Sequence, residues 1–155
     1  VADVNMGRES IFGRLDATLQ QINSGQYGAF GWAEATIGFR LPPDVDPHQL
    51  ADALIPATDD HISVRAYGHE RAHVAGTDTH LSRVMRRAIR AQGGRPRFVH
   101  KTGTSDMNVV AAHWNCPILA YGPGDSALDH TPEEHLHLKE FTRSVDVLRA
   151  ALSNI

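Results

Sequence analysis

"CPILAYGPGDSALDHTPEEHLHL", Cys116 to Leu138, is the stretch on which the fold reading turns. It opens with a continuous apolar run that ends at the Gly-Pro-Gly of Gly122 to Gly124. A strand without polar alternation, flanked by helical patterns, marks a sheet covered on both faces, because alternation is needed only where one face meets water. "HTPEEHLHL" then offers Thr131 as N-cap, Pro132 at the first helical position and Glu134 at the third. This is a capping box, worth about 1 kcal/mol for the cap itself. Leu138, Phe141, Val145, Leu148 and Leu152 recur at spacings of three and four, which predicts a helix running nearly to the last residue.

His130 sits beside Asp129, between the predicted strand and the capped helix. A rigid loop at a strand end is where a metal ligand or an acid/base would be placed, although a lone histidine also serves purely structural ends. The Gly-Pro-Gly either lets backbone approach a ligand closely or simply makes a sharp turn. His135 and His137 fall further along the predicted helix and read as facing solvent.

Upstream of this stretch, a helix is predicted over 79–92, stopped by Gly93 and Gly94, followed by the strand-like "PRFVHKTG" and the short helix "DMNVVAAHW". This half reads as part of an α/β layer structure. The first half is organised differently. "GWAEATIGFRLPP" alternates Ala33, Ala35, Ile37, Phe39 and Leu41 on one face and stops at Pro42 and Pro43, as a strand would. "DPHQLADALIP" has Asp46 as N-cap and Pro47 at the first helical position, with Leu50 and Leu54 on one side. A half-buried strand is predicted over 61–67. "SIFGRLDATLQQINSG" fits helix by Ile11, Leu15, Leu19 and Ile22 and strand by Leu15, Ala17 and Leu19. Residues 8–74 therefore read as a small α+β unit.

Composition narrows the function classes. At 155 residues and 41% hydrophobic the chain can bury the core of one ordinary domain or two small ones. A net charge of −3 gives no electrostatic case for nucleic acid or an anionic membrane. Arg83, Arg86, Arg87 and Arg90 surround the apolar positions of the 79–92 helix, which usually means a solvated face and less often a phosphate or acidic-partner site. The single cysteine, Cys116, excludes an internal disulfide and fits a reducing cytoplasm. No apolar run approaches the length of a membrane span.

Three motifs invite catalytic readings. His69-Glu70-Arg71-Ala72-His73 matches the H-E-x-x-H of zinc proteases, whose two histidines share a metal only when a helix puts them on one face. No helical stripe runs through 66–76, so the segment reads as a strand end and loop. Lys101-Thr102-Gly103 occurs in serine β-lactamases, but no serine here is followed three places later by lysine. The serine of "GPGDS" is not centred between glycines, so it is not a nucleophile elbow.

Residues 97–152, and above all "KTGTSDMN" and "GPGDSALDHTPEEHL", resemble the C-terminal segment of the acetylornithine deacetylase and succinyl-diaminopimelate desuccinylase family of zinc amidohydrolases, in its N-acyl-lysine branch. "AEATIGFRLPPDVDPHQLADAL" is similar to the lid domain of that family. The resemblance implies a partial ferredoxin-like lid and dimerisation domain over 1–74, then the C-terminal part of a phosphorylase/hydrolase-like α/β catalytic domain over 75–155. It implies strand, not helix, for 11–22. It also implies two metal ions per site, Zn²⁺ or Co²⁺, with His130 matching the last metal-ligand histidine. Thr104, Ser105, Gly122 and Gly124 match loops that border the substrate.

The expected activity is hydrolysis of an N-acyl lysine or ornithine amide, acetyl- or carrier-linked, in lysine and arginine biosynthesis. An acidic amino-group carrier protein is a possible partner, and the expected assembly is a cytoplasmic homodimer formed through the lid. The family's H-x-D motif is missing from this sequence, its general base belongs to a Glu-Glu pair of the same N-terminal segment, and Val1 stands where an initiator Met would. The expectation is a piece of a longer enzyme, inactive alone. A non-catalytic dimerisation or ligand-binding module and an H-E-x-x-H protease are the competing readings.

Overall fold

The computed structural model describes residues 1–55 and 60–155, and Pro56, which closes the "DPHQLADALIP" stretch, lies outside them. The chain forms a mixed α/β structure of two compact units, one of Val1–Val74 with His100–Ala112, the other of Ala75–Val99 with His113–Ile155.

The first unit is built on a hairpin. Strand β1, Asp16–Tyr27, pairs antiparallel with β2, Phe30–Arg40, from Asp16 opposite Arg40 to Tyr27 opposite Phe30. Of the 11–22 segment, Asp16 onward is strand, as the resemblance implied, with its backbone paired to β2, whereas Ile11–Gly13 form a single 3-10 turn capped by Ser10. Gly28 opens the connecting turn at φ +60, which fits a two-residue hairpin loop with glycine first. One irregularity between Leu19 and Gln21 keeps the apolar residues of β1 in phase with those of β2, so Leu19 faces Ile37 and Ile22 faces Ala35. After Pro42, helix α1 spans Pro47–Leu54, and Asp46 caps it by accepting from the N–H groups of His48 (2.8 Å) and Gln49 (3.3 Å). Ala51 and Pro47 are its buried residues, whereas Leu54 is largely exposed.

Arg8 reaches back to both the Gly13 carbonyl (2.9 Å) and the Asp44 carboxylate (2.8 Å from Nη1), tying the residues before β1 to those after β2. The guanidinium hydrogen bond holds the Asp44 carboxyl below its usual range. A depressed folded-state value makes that contribution complete above the ordinary carboxylate pKa and lost as pH falls through the folded one.

The second unit has helices α2, His80–Ala91, and α4, Leu138–Leu152. Thr79 and Ser82 exchange hydrogen bonds at the start of α2, 3.1 Å from Ser82 N–H to Thr79 Oγ1 and 2.8 Å from Thr79 N–H to Ser82 Oγ. Gly93 at φ +72 and the 2.9 Å bond from Gly94 N–H to the Ile89 carbonyl end the helix, where the sequence placed its stop. Val84, Met85 and Ala88 of α2 form one core with Val147 and Ala151 of α4, edged by Leu81, Ile89 and Leu119.

Three expectations are corrected. The segments 61–67 and 96–103 and the Cys116–Gly122 run are not strands, because no ladder forms along any of them among the described residues, apart from a bridge at Ile62. Lacking a partner, the run is not buried on both faces, and Tyr121 stays 36% exposed. The C-terminal helix starts at Leu138 instead of Thr131, with His137 as N-cap and no side-chain cap. Residues 131–134 make a single turn, closed at 3.1 Å from Glu134 N–H to the Thr131 carbonyl. The face that α4 buries is Ser144, Val147 and Ala151, not the predicted stripe of Leu138, Phe141, Val145, Leu148 and Leu152, each of which is at least 40% exposed, because the small and β-branched side chains are the ones that fit against α2. Helix α3 is Asp106–Ala111, shorter than the quoted stretch of 106–114.

Val147, 1% exposed, should cost about 2 kcal/mol when cut to alanine, against well under half of that for Leu148, which is 42% exposed, as read from urea unfolding midpoints. Thr79→Ala should cost about 1 kcal/mol by the same measurement, since it strips one half of the reciprocal cap.

Candidate functional site

His130 is the only non-glycine residue at positive φ (+64) among the described residues. A left-handed backbone costs an L-residue about 1 kcal/mol, so something local has to hold it. Nested turns do so. Asp125 Oδ1 accepts from Ala127 N–H (2.9 Å), the Asp125 carbonyl accepts from Leu128 N–H (3.0 Å), and the Leu128 carbonyl accepts from both Thr131 N–H (3.0 Å) and Thr131 Oγ1 (2.7 Å). Glu134 closes the loop by accepting the His130 N–H at 2.9 Å. The carboxylate that the sequence placed in a capping box for Thr131 is instead the clamp on the preceding residue. The imidazole of His130 is exposed, away from the aliphatic core.

Gly122 and Gly124 precede this loop in the same unit. A Cβ on Gly122 would meet nothing within 4 Å, so its backbone is open to approach. Gly124 stands at φ +97, a conformation that strains any other residue, and its Cβ position lies 4.0 Å from the His135 carbonyl.

Thr104 and Ser105 belong to the first unit, both exposed at the start of α3. Asn108 organises them. Its Oδ1 accepts the Ser105 N–H (2.9 Å), its own N–H donates to the Ser105 carbonyl (2.9 Å), and its Nδ2 donates to the Arg71 carbonyl (2.8 Å). The "KTGTSD" loop is thereby fastened to "GHERAHV". Sequence reading missed Asn108, although a serine followed three places later by a side chain able to accept its N–H is a readable capping signal.

The H-E-x-x-H segment forms no helix. His69 stacks on His48 of α1, with ring centroids 4.5 Å apart and planes at 9°, and Arg71 forms an ion pair with Asp46. The His69 ring therefore lies against α1, and the shared helical face that a protease needs is not built. Among the described residues no three His, Cys, Asp or Glu side chains converge to hold a metal ion. The described residues do not by themselves fit a metal centre, and His130 is not brought into a group of three such side chains.

A cavity of about 80 Å³ lies elsewhere in the second unit, lined among others by Met85, Arg86, Ile89, Phe98, Leu119 and Tyr121. The Arg86 guanidinium stands 5.7 Å from the Phe98 ring centre, and burial raises the Tyr121 phenol above its ordinary value. None of the sequence-predicted site residues lines it.

Comparison with known proteins bears on these loops. The chain is 50% identical over 155 residues to a "[LysW]-lysine hydrolase" of Deinococcus radiodurans, covering 99% of this chain and 43% of the relative. It is 37% identical over 124 residues to a "Putative [LysW]-lysine/[LysW]-ornithine hydrolase" of Pyrococcus abyssi, covering 80% and 33%. A protein of the same printed name from Pyrococcus furiosus is 40% identical over 129 residues, covering 82% and 34%. The chain thus spans less than half the length of these curated relatives. Residues 6–154 match the family described as Peptidase family M20/M25/M40, and with so nearly the whole sequence inside that match the chain belongs to this family.

Proposed function

We propose that the protein of which this chain forms part hydrolyses the amide bond of a lysine or ornithine held through its amino group to a carrier, in lysine or arginine biosynthesis. The observation that carries this reading is the 50% identity over 99% of the chain to a relative named for that substrate. The M20 family is generally metal-dependent, and the bound metal supplies an activated water and a polarised carbonyl. On this reading the metals are two zinc or cobalt ions. His130 supplies one ligand, and the remaining ligands come from residues beyond those of this chain.

Support for His130 comes from its backbone. Nested turns and Glu134 hold it at φ +64, and sustained local strain at an exposed imidazole is characteristic of functional loops. Thr104 and Ser105 would present hydroxyls to the substrate, and Gly122 and Gly124 would present backbone without side-chain obstruction. In domain terms, residues 1–74 are the partial lid, ferredoxin-like in the intact protein, and residues 75–155 the returning catalytic part. A homodimer formed through the lid has its support in the hairpin, where Leu19, Ile22 and Ile37 share one face and are each more than half exposed. The same reading puts the protein in the cytoplasm, where the lone exposed thiol of Cys116 stays reduced.

In the protein at the full length of its relatives, His130→Ala should lower metal content and cut hydrolysis of carrier-linked lysine by at least about a hundredfold. Its melting temperature should move little, because the ring is exposed. Full metal occupancy and activity in that variant would remove His130 from the site. This chain assayed alone with added Zn²⁺ or Co²⁺ should show no turnover, and measurable N-acyl-lysine cleavage would overturn the division of ligands given above.

A further inference from the structure

Residues 100–112 pack with the first unit although 75–99 separate them from it in the chain. The segment is pinned near both ends. His100 stacks on Phe12, with ring centroids 4.5 Å apart and planes at 20°, and Asn108 Nδ2 donates to the Arg71 carbonyl at 2.8 Å. Between the two pins, Lys101 to Ser105 form no helix or strand, and Thr104 and Ser105 stand exposed close to the second one.

The partner of Asn108 is itself anchored. His69 lies on His48 in the first turn of α1, ring centroids 4.5 Å apart, and Arg71 pairs with Asp46, the N-cap of the same helix. Two residues of the H-E-x-x-H segment thus grip one helix end, and the carbonyl that Asn108 meets belongs to the one held by the ion pair. Asn108 also reaches the other way, its Oδ1 taking the Ser105 N–H at 2.9 Å. A side-chain amide donates and accepts at once, which a carboxylate cannot do. A loop that must be ordered to receive a ligand gives up affinity to entropy, and a bond that orders it beforehand removes that loss.

We propose that Asn108 is a positioning residue, holding Thr104 and Ser105 toward the substrate from the fixed support that the H-E-x-x-H segment makes on α1. The inference rests on the function proposed above, in which those two hydroxyls face the substrate. It gives the H-E-x-x-H segment a role that needs no metal: His69 and Arg71 anchor it, and the Arg71 carbonyl is the point of attachment. Contacts made equally in the ground and transition states show in KM. Loosening the loop should therefore raise KM at nearly constant kcat, whereas a variant that merely unfolds part of the enzyme lowers kcat at constant KM.

The test is steady-state kinetics on carrier-linked lysine, with the protein at the full length of its relatives. Asn108→Ala should raise KM about tenfold and leave kcat within about twofold. Asn108→Asp keeps an acceptor for the Ser105 N–H but turns an oxygen toward the Arg71 carbonyl, so it should raise KM nearly as far with the start of α3 still capped. Arg71→Ala should raise KM about threefold, in keeping with the modest worth of an exposed ion pair, and Arg71→Lys should restore most of the loss. Wild-type KM in both Asn108 variants, or a fall in kcat at unchanged KM that follows the melting temperature, would overturn the positioning role. The double variant Thr104→Val/Ser105→Ala separates that failure from one beneath it. If it raises KM while the Asn108 variants do not, the positioning role alone falls. If it keeps the wild-type KM, or if the wild type does not hydrolyse carrier-linked lysine, the function proposed above loses its loop assignment or its substrate, and the positioning role goes with it.

Discussion

Every backbone N–H and C=O taken from water needs a partner, and this condition decides which apolar segments of the chain become regular structure. The hairpin of β1 and β2 meets it internally, strand against strand from Asp16–Arg40 to Tyr27–Phe30. Helices α2 and α4 meet it within themselves and bury one face each on the other. The run Cys116–Gly122 has the composition of a strand and, among the described residues, no strand beside it, so Leu119 edges the helix core without joining a sheet.

Where no ladder or helix organises the chain, side chains do. Asn108 uses its carbonyl oxygen, its amide group and its own backbone N–H to fasten two loops that carry no regular structure. Asp125, Thr131 and Glu134 do the same around His130. These are short polar side chains, or in Glu134 a longer one reaching back four residues, competing successfully with helix formation. This is one physical reason that the helix begins only at Leu138, past the turns that these side chains hold.

Capping and stopping signals were the most legible part of the chain. Asp46-Pro47 opens α1, and Gly93-Gly94 closes α2. Those signals succeed because they act within four residues of themselves. Thr131-Pro132-Glu134 has the same form and fails, since its helix would have carried His135, Leu136 and His137 with no surface to bury them against. For the candidate site, resemblance singled out Thr104, Ser105, Gly122, Gly124 and His130. The backbone of His130 was not, because nothing in "LDHTP" announces a left-handed histidine until the turns around it are assembled.

Sequence by itself determined the family, the alternating faces of β2, the amphipathic face of α2 and its basic cluster, all of which are properties of residue order and composition. Tertiary structure decided which extended segments became strands, where the last helix began, and that His69 would lie on His48 while Glu134 seized the His130 N–H. The division has one cause. Periodicity and capping are local and written in a few consecutive residues, whereas a strand, a stacked ring pair or a held left-handed backbone exists only when residues that the sequence leaves unspecified are brought alongside.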